Sequence, residues 1–488
     1  MTPMNHSAAQ RAHENVSTGA GNAAKVTGIH GGQMTTMSPT EHLEHLRALS
    51  PVGLQYIAAI RGFVPAFAED YNYAMLGCGD GETLIALAAS NPDGHFLGFD
   101  GDAAQVQAAA GRAEKLGVSN VSFVHADSLA LALAIKEGKL PTPAFDYVVL
   151  NLAGQSVDEN EVPSMLALAG DILAPGGIFY ISYDTNVKAD GGDLAAALVS
   201  YKAAGAASRT DQAQQAGKSA GLNYLGSARI KQNYLEFSAP SAAHDLLSKS
   251  AGEPFYETLK DLATGATQRH DVWLKADGAP VENIVQRFGV FTFSVTSPTS
   301  YIDPQYRYFD KKIDFSTPLF TRLINALSGY PLSVGDMLAH EDLKGAAPEE
   351  LLSGVMMLVA TGIAEPTARQ IEIAGDLLDA KLATTYNQRL RSGAVTGGGY
   401  LAAPGLGRPV FGTPTTLMCL KAIDAAGIKG AEEILDQQLR EASAPVKAEI
   451  PANLSDETMR RNTAYHLLQQ ICQEWLGFTL VHGIMVPK

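Results

Sequence analysis

Leu76-Gly77-Cys78-Gly79-Asp80-Gly81-Glu82-Thr83 decides the fold of this 488-residue chain. An apolar run, Tyr71 to Leu76, enters it and a helix-forming stretch leaves it, so the glycines occupy a turn from a buried strand into a helix. Glycine there lets the backbone turn sharply and lets a ligand approach the main chain closely. Asp100 follows nineteen positions after Gly81, at the end of the next apolar run. A carboxylate in that place accepts hydrogen bonds from both hydroxyls of a ribose. A dinucleotide turn would read GxGxxG and lead phosphates onto the helix. This one reads GxGxG with an acidic Asp80 inside it, which opposes a pyrophosphate and suits a cationic ligand.

Outward from the turn, Phe96 to Asp100, Val121 to Ala126, Tyr147 to Leu152 and Ile178 to Tyr183 read as further buried strands. They alternate with helical stretches such as Ala103 to Leu116, and this βαβαβ pattern predicts a doubly wound, mostly parallel α/β sheet. Upstream, Ser38-Pro39-Thr40-Glu41 has the form of a capping box opening two short helices. Residues 1–37, rich in Gly, Ala, Ser, Thr, Asn and Gln, are expected to be a flexible N-terminal segment. Downstream, Asn223 to Ile230 and Phe288 to Val295 predict strands in a smaller mixed region, 221–315. From 316 to 488 the chain reads as mainly helical, with Thr317 to Leu327, Pro348 to Thr361, Thr413 to Ala426 and Ser455 to Trp475 as the clearest helices. The stripe Met459, Ala464, Leu467, Leu468, Ile471, Trp475 and Leu476 on the last of these is expected to be core. Leu332 to Pro366 has the outline of a helix-turn-helix unit. Asp336, Glu341, Asp342, Glu349 and Glu350 make it acidic, which argues against DNA.

Composition narrows the class. With 46% hydrophobic and 18% charged residues the chain can bury more than one core, and a net charge of −15 repels a phosphate backbone. Nucleic acid is therefore not an expected partner. Three widely spaced cysteines, Cys78, Cys419 and Cys472, make neither a disulfide framework nor a zinc pattern, and the twelve histidines fall into no HExxH array. No metal is expected. No run reaches the roughly 18 apolar residues of a membrane span and no signal peptide is visible, so the expected location is cytoplasmic.

Taken in order, Leu76 to Gly81, Asp100, Ala126-Asp127-Ser128, Phe145-Asp146-Tyr147 and Leu173-Ala174-Pro175-Gly176-Gly177 resemble the motifs of class I S-adenosylmethionine-dependent methyltransferases. The resemblance implies a seven-stranded methyltransferase sheet in a cofactor-binding domain, 38–220. It also implies the cofactor S-adenosylmethionine, with S-adenosylhomocysteine as product. Gly77, Cys78, Gly79, Asp80 and Gly81 would run under its methionine part and Asp100 would hold the ribose. Asp127, with Ser128 beside it, would face the adenine amino group, and Asn151 would complete the cofactor set. Asp80 could meet the ammonium or sulfonium through charge. Gln105 is a further candidate. The Cys78 side chain is expected to pack, since no histidine stands at a spacing that would activate it.

Ligands of an open α/β sheet gather at the carboxyl ends of the strands, which makes Asn151, Gln155, Tyr183, Asp184 and Asn186 acceptor-site candidates. Asn151, Tyr183 and Asp184 form the expected catalytic set. Tyr183 would shape the pocket with its ring and Asp184 would hold or deprotonate an amine. Ala220 to Ala228, Thr267 to Trp273 and Tyr400 to Gly407 further resemble blocks of bacterial methyltransferases with a regulatory domain, a group that includes rickettsial protein-lysine methyltransferases. That resemblance implies a protein-lysine acceptor and a homodimer contact. Two departures keep a small N-, S- or O-acceptor and a non-catalytic cofactor sensor open. Asn151 to Ser156 lacks the group's histidine-glycine and aromatic-rich sequence, and only about 37 residues separate Tyr183 from Ala220.

Overall fold

The computed structural model describes residues 39–64, 70–126, 145–150, 161–186, 208–275, 280–297, 299–308, 311–376, 379–392, 399–450 and 452–488, with 26–27, 36–37, 196 and 199. Ser38, and with it the expected capping box, lies outside them, as do Asp127, Ser128, Asn151 and Gln155.

Seven strands make the central sheet: β1 (Tyr71–Leu76), β2 (Gly94–Asp100), β3 (Val121–His125), β4 (Phe145–Leu150), β5 (Leu173–Asp184), β6 (Asn223–Ser227) and β7 (Gln268–Leu274). Their order is β3-β2-β1-β4-β5-β7-β6, and β7 alone runs against the rest. The central strands read as unbroken apolar runs because helices cover both faces, as a parallel sheet requires. Helices α1 (Pro39–Leu49), α2 (Pro51–Ile60), α3 (Glu82–Ser90) and α4 (Ala103–Leu116) share a core with Tyr73, Met75, Tyr147 and Tyr180 on one face. On the other, α5 (Glu161–Ile172) and α6 (Arg209–Ser219) pack on Ala74, Val148, Phe179 and Tyr183.

Two features extend the sheet beyond its expected limits. β5 starts at Leu173, five residues before Ile178, because Leu173 already pairs with Phe145 ahead of a register shift. β6 and β7 come from beyond residue 220, so the sheet is finished by the Tyr224 and Trp273 blocks. Helix α7 (Tyr256–Thr264) lies between them in sequence.

The remaining chain builds two further cores. A three-stranded antiparallel sheet of β8 (Thr292–Val295), β9 (Leu332–Ser333) and β10 (Ala364–Thr367) packs with α8 (Pro318–Gly329) and α9 (Pro348–Ala360) around Phe288, Phe291 and Phe293. Phe288 ends a short helix, Ile284–Phe288, instead of opening the strand, because the Asn283 side chain caps that helix by accepting from the Gln286 N–H at 3.0 Å. Helix α10 (Pro414–Arg440) runs past Ala426 through a break at Gly427, and α11 (Glu457–Gln470) passes into a π-helical turn, Ile471–Trp475. Of the expected stripe, Ala464, Leu468 and Ile471 are buried while Met459 is exposed.

These outer segments grip the central sheet's helices. The Ala403 N–H donates to Ser90 Oγ at 3.2 Å, Asn91 Nδ2 to the Gly407 carbonyl at 2.8 Å, and Arg389 to the Glu114 carbonyl at 3.1 Å. Buried Glu365 takes Arg408 Nε at 2.7 Å and Arg47 Nε at 3.1 Å, tying β10 to α1 and to the loop after Leu401.

Candidate active site

The glycine turn is built by backbone geometry that only glycine adopts readily. Gly77, Gly79 and Gly81 have φ of 73°, 54° and 75°, all left-handed. The N–H groups of Gly77 and Cys78 both donate to the Phe99 carbonyl, at 2.8 and 3.0 Å, which pins the turn to the end of β2. The outer two glycines of the GxG step differ in what lies beyond them. A Cβ on Gly79 would point into open space, whereas one on Gly81 would stand 2.7 Å from Ala109 Cβ and 2.9 Å from the Phe123 ring. Gly81 thus serves helix–strand packing and Gly79 leaves room for a ligand.

Asp100 closes the arrangement from β2. Its Oδ2 accepts the Gly79 N–H at 2.8 Å and its Oδ1 accepts the Asp102 N–H at 2.9 Å. An ionised carboxylate has about four acceptor positions, so each oxygen retains capacity toward ribose hydroxyls. Asp102 caps α4 by accepting the Ala104 N–H at 2.8 Å, and half-buried Gln105 lies in that helix's first turn. His125, at the end of β3, places Nε2 3.0 Å from the Gly101 carbonyl.

The side chains of Asp80 and Cys78 have partners inside the protein. Asp80 Oδ2 meets Arg112 of α4 at 2.7 Å and Oδ1 accepts the Glu82 N–H at 3.2 Å, so its charge is answered inside the protein. The Cys78 thiol is buried against Gly98, and burial, reinforced by Asp100 and Asp80, pushes its pKa up to about 12. It packs and is not a ready nucleophile.

Further along the carboxyl edge, Tyr183 is buried in the protein. Strand alternation places it with Phe179 and Ile181 on the α5–α6 face, where it is 2% exposed and donates to Asp271 Oδ2 at 2.7 Å. That corrects the expected pocket-shaping role. Asp184, half-buried, ends the strand, and its carbonyl accepts from Arg209 at 3.3 Å. Asn186 caps the Arg209 N–H at 3.0 Å.

Beneath this edge lies a buried ionic cluster that sequence patterning did not reveal, although it falls in the Thr267 to Trp273 block. The Arg269 guanidinium donates to Glu257 at 2.9 Å, Asp261 at 2.8 Å, Asp271 at 2.9 Å and the Tyr224 hydroxyl at 2.5 Å. Burial raises the Glu257 pKa, but Lys260 and Arg269 more than offset it and hold the carboxyl at about 2. For Asp261 burial wins over Arg269 and Thr210, and its pKa rises to about 6. Among the described residues no group of three His, Cys, Asp or Glu could hold a metal, and no helix is long and apolar enough to cross a membrane.

Residues 69–222 match the family model for a methyltransferase domain, and residues 210–275 match one described as a "Predicted methyltransferase regulatory domain". The chain carries a methyltransferase domain. An uncharacterized protein of Synechocystis is 20% identical over 382 residues, covering 66% of this chain and 74% of that one. A tRNA (guanine-N(7)-)-methyltransferase of Chloroflexus aurantiacus is 32% identical over 136 residues, covering 25% of this chain and 58% of the relative's length. Among solved structures, PKMT2 from Rickettsia typhi in complex with AdoHcy superposes with a TM-score of 0.65 at 14% identity, covering 90% of this chain and 98% of that one. The methyltransferase domain and the segments after it thus share one fold with that protein along nearly its whole length.

Proposed function

We propose that this protein transfers a methyl group from S-adenosylmethionine to a nucleophilic acceptor held at the carboxyl edge of β4 and β5. The observation that carries it is the Asp100–Gly79 arrangement: a carboxylate fixed by two backbone N–H groups, facing a glycine with open space before it. The residues fit the cofactor. Gly77 to Gly81 would pass under its methionine part, Asp100 would hold its ribose hydroxyls, and Asp127 with Ser128 would meet the adenine. When bound, S-adenosylmethionine supplies an electrophilic methyl group on a sulfonium. The protein's task is then to align the acceptor and, where it is protonated, to remove its proton. Asp184, at the end of β5, is the residue that would hold an amine, and Asn151, which follows β4 in sequence, would join it in the acceptor site.

Protein lysine is the favoured acceptor, supported by the shared fold with PKMT2 across 90% of this chain. The short connection between Tyr183 and Ala220 favours a second reading, a small N-, S- or O-acceptor. The net charge of −15 weighs against a polynucleotide. Isothermal titration with S-adenosylmethionine and S-adenosylhomocysteine tests the cofactor. Binding by the wild type that is lost in Asp100→Ala supports the reading, and no affinity for either ligand sinks it. Labelled methyl groups retained in a lysine peptide, against a small-molecule fraction, then separate the two acceptor classes.

A further inference from the structure

The glycine turn is held at its entry by the neighbouring strand and at its exit by side chains, one of which comes from the far end of the chain. At the entry, Gly77 and Cys78 donate to the Phe99 carbonyl and Gly79 donates to Asp100. At the exit, Gly81 opens α3 with a left-handed φ of 75° and has no side chain with which to bond the helix's first turn. Asp80, held by Arg112, accepts the Glu82 N–H at 3.2 Å. Thr83, the second residue of α3, is 6% exposed, and its hydroxyl is hydrogen-bonded to that of Tyr400.

Tyr400 is itself firmly placed. It lies in the strand Gly399–Leu401, opposite Phe411 of Val410–Gly412, with the two rings 6.1 Å apart at 81°. Asn387, in the helix Thr385–Ser392, donates to the Ala402 carbonyl at 3.0 Å and accepts the Ala402 N–H at 2.8 Å, which joins that helix to the strand. Arg389 of the same helix donates to the Glu114 and Lys115 carbonyls at 3.1 and 3.3 Å. Tyr386, Tyr400 and Ala402 are buried in one core with Cys78, Leu84, Ile85 and Ala88. Helix and hairpin therefore act as one unit, seated on the first turn of α3 and the last turn of α4.

A glycine-rich turn has many conformations in the absence of a ligand, and each constraint imposed beforehand lowers the cost of binding. Backbone bonds supply that constraint at the entry. At the exit the Tyr400–Thr83 bond supplies part of it from outside the methyltransferase domain. A contact that favours the ligand-ready turn is strengthened in return when the ligand binds, because coupling of this kind is reciprocal.

We propose that Tyr400 is a positioning residue for the cofactor: through Thr83 it fixes the exit of the glycine turn, so that seating of residues 399–412 and binding of S-adenosylmethionine strengthen each other. This rests on the methyl-transfer reading above. Tyr400 takes part in no bond-making step. It acts on how completely the turn is formed before the cofactor arrives.

The test uses the full chain with S-adenosylhomocysteine as the probe. Tyr400→Phe and Thr83→Val each remove one hydroxyl and keep the shape that packs. Each is expected to weaken S-adenosylhomocysteine about fivefold in a titration, the worth of one hydrogen bond, and the double variant no more than either alone. In hydrogen exchange, S-adenosylhomocysteine should protect the backbone amides of residues 399–412 in the wild type, and this protection should be lost in Tyr400→Phe. Ile324→Val trims the separate core around Phe293, so it lowers stability away from the turn and should leave affinity within about twofold. The proposal is overturned if either hydroxyl variant binds as the wild type does, if the two losses add, if the probe leaves residues 399–412 unprotected in the wild type, or if Ile324→Val weakens binding equally. In each of these cases binding by the wild type leaves the methyltransferase reading standing, whereas a wild type that binds no S-adenosylhomocysteine overturns both.

Discussion

Asp100 and Asp271 are both strand aspartates, yet the molecule puts them to opposite uses. Asp100 ends β2 at the rim, accepts two backbone N–H groups and keeps acceptor capacity outward. Asp271 sits in β7, fully buried, and takes a guanidinium and a tyrosine hydroxyl. At the rim a carboxylate held by amides remains free to bind a ligand. In the interior the same group must be paired, because an uncompensated buried charge costs more than the pair gains. The difference teaches that residue type and strand position do not by themselves mark a site; solvent exposure does.

The comparison breaks most visibly at Arg269. Arg269→Ala would leave Glu257, Asp261 and Asp271 buried around an empty space, and a loss of about 3–5 kcal/mol is expected from urea unfolding. Asp100→Ala is expected to leave the unfolding midpoint nearly unchanged. It should weaken S-adenosylhomocysteine by about 100-fold in a titration, as loss of charge-assisted hydrogen bonds implies. If Asp100→Ala unfolded the protein instead, rim and interior would not be distinct in kind.

Smaller effects sharpen the contrast. Both Gly79→Ala and Gly81→Ala force a side chain into left-handed backbone, but only the second also meets Ala109 and Phe123. Gly81→Ala should cost about 1–3 kcal/mol more stability than Gly79→Ala, measured by denaturation, while Gly79→Ala should act chiefly on cofactor affinity. Tyr183→Phe removes a single buried hydrogen bond and should cost about 1–2 kcal/mol, with cofactor affinity unaltered by titration.

Acid–base behaviour gives the smallest and most specific effect. Asp261 has a folded pKa of about 6, above its unfolded value, so the folded protein holds the extra proton and stability falls as pH rises from about 4 to 6. Glu257 and Glu365, held at about 2, act in the opposite sense: their contribution is present above about pH 4.5 and lost as pH drops toward 2. Asp261→Asn should flatten the decline between pH 4 and 6 and leave the acid limb in place, which thermal melts across that range would show.

The glycine turn, the first four strands and the acidic end of β2 were legible because each depends on residues close in sequence. Gly77 to Gly81 needs only its own backbone, and the apolar runs declare buried parallel strands without reference to their partners. Tyr183 was misplaced for the converse reason. Its face of β5 follows from alternation, but what waits on that face, Asp271, is 88 residues away. Asp80 read as a group suited to a cation, and the cation it meets in the fold is Arg112, one helix further on. The Thr267 to Trp273 block signalled importance without function, since Arg269 and Asp271 share one face of the strand and pair with each other, while His270 points to the other face and meets Tyr180.

By itself, then, the sequence determined the class of fold, the place of the glycine turn and the presence of Asp100 at the end of the next strand. These rest on local conformational limits and on periodicities of two and 3.6 that any solvent-excluded strand or helix must obey. Only the tertiary structure decided which charged groups face a ligand and which neutralise one another. It closed the sheet with strands from beyond residue 220 and clamped α3 and α4 with residues from the far end of the chain. Electrostatic roles depend on distance and burial, and neither is written in the order of residues along the chain.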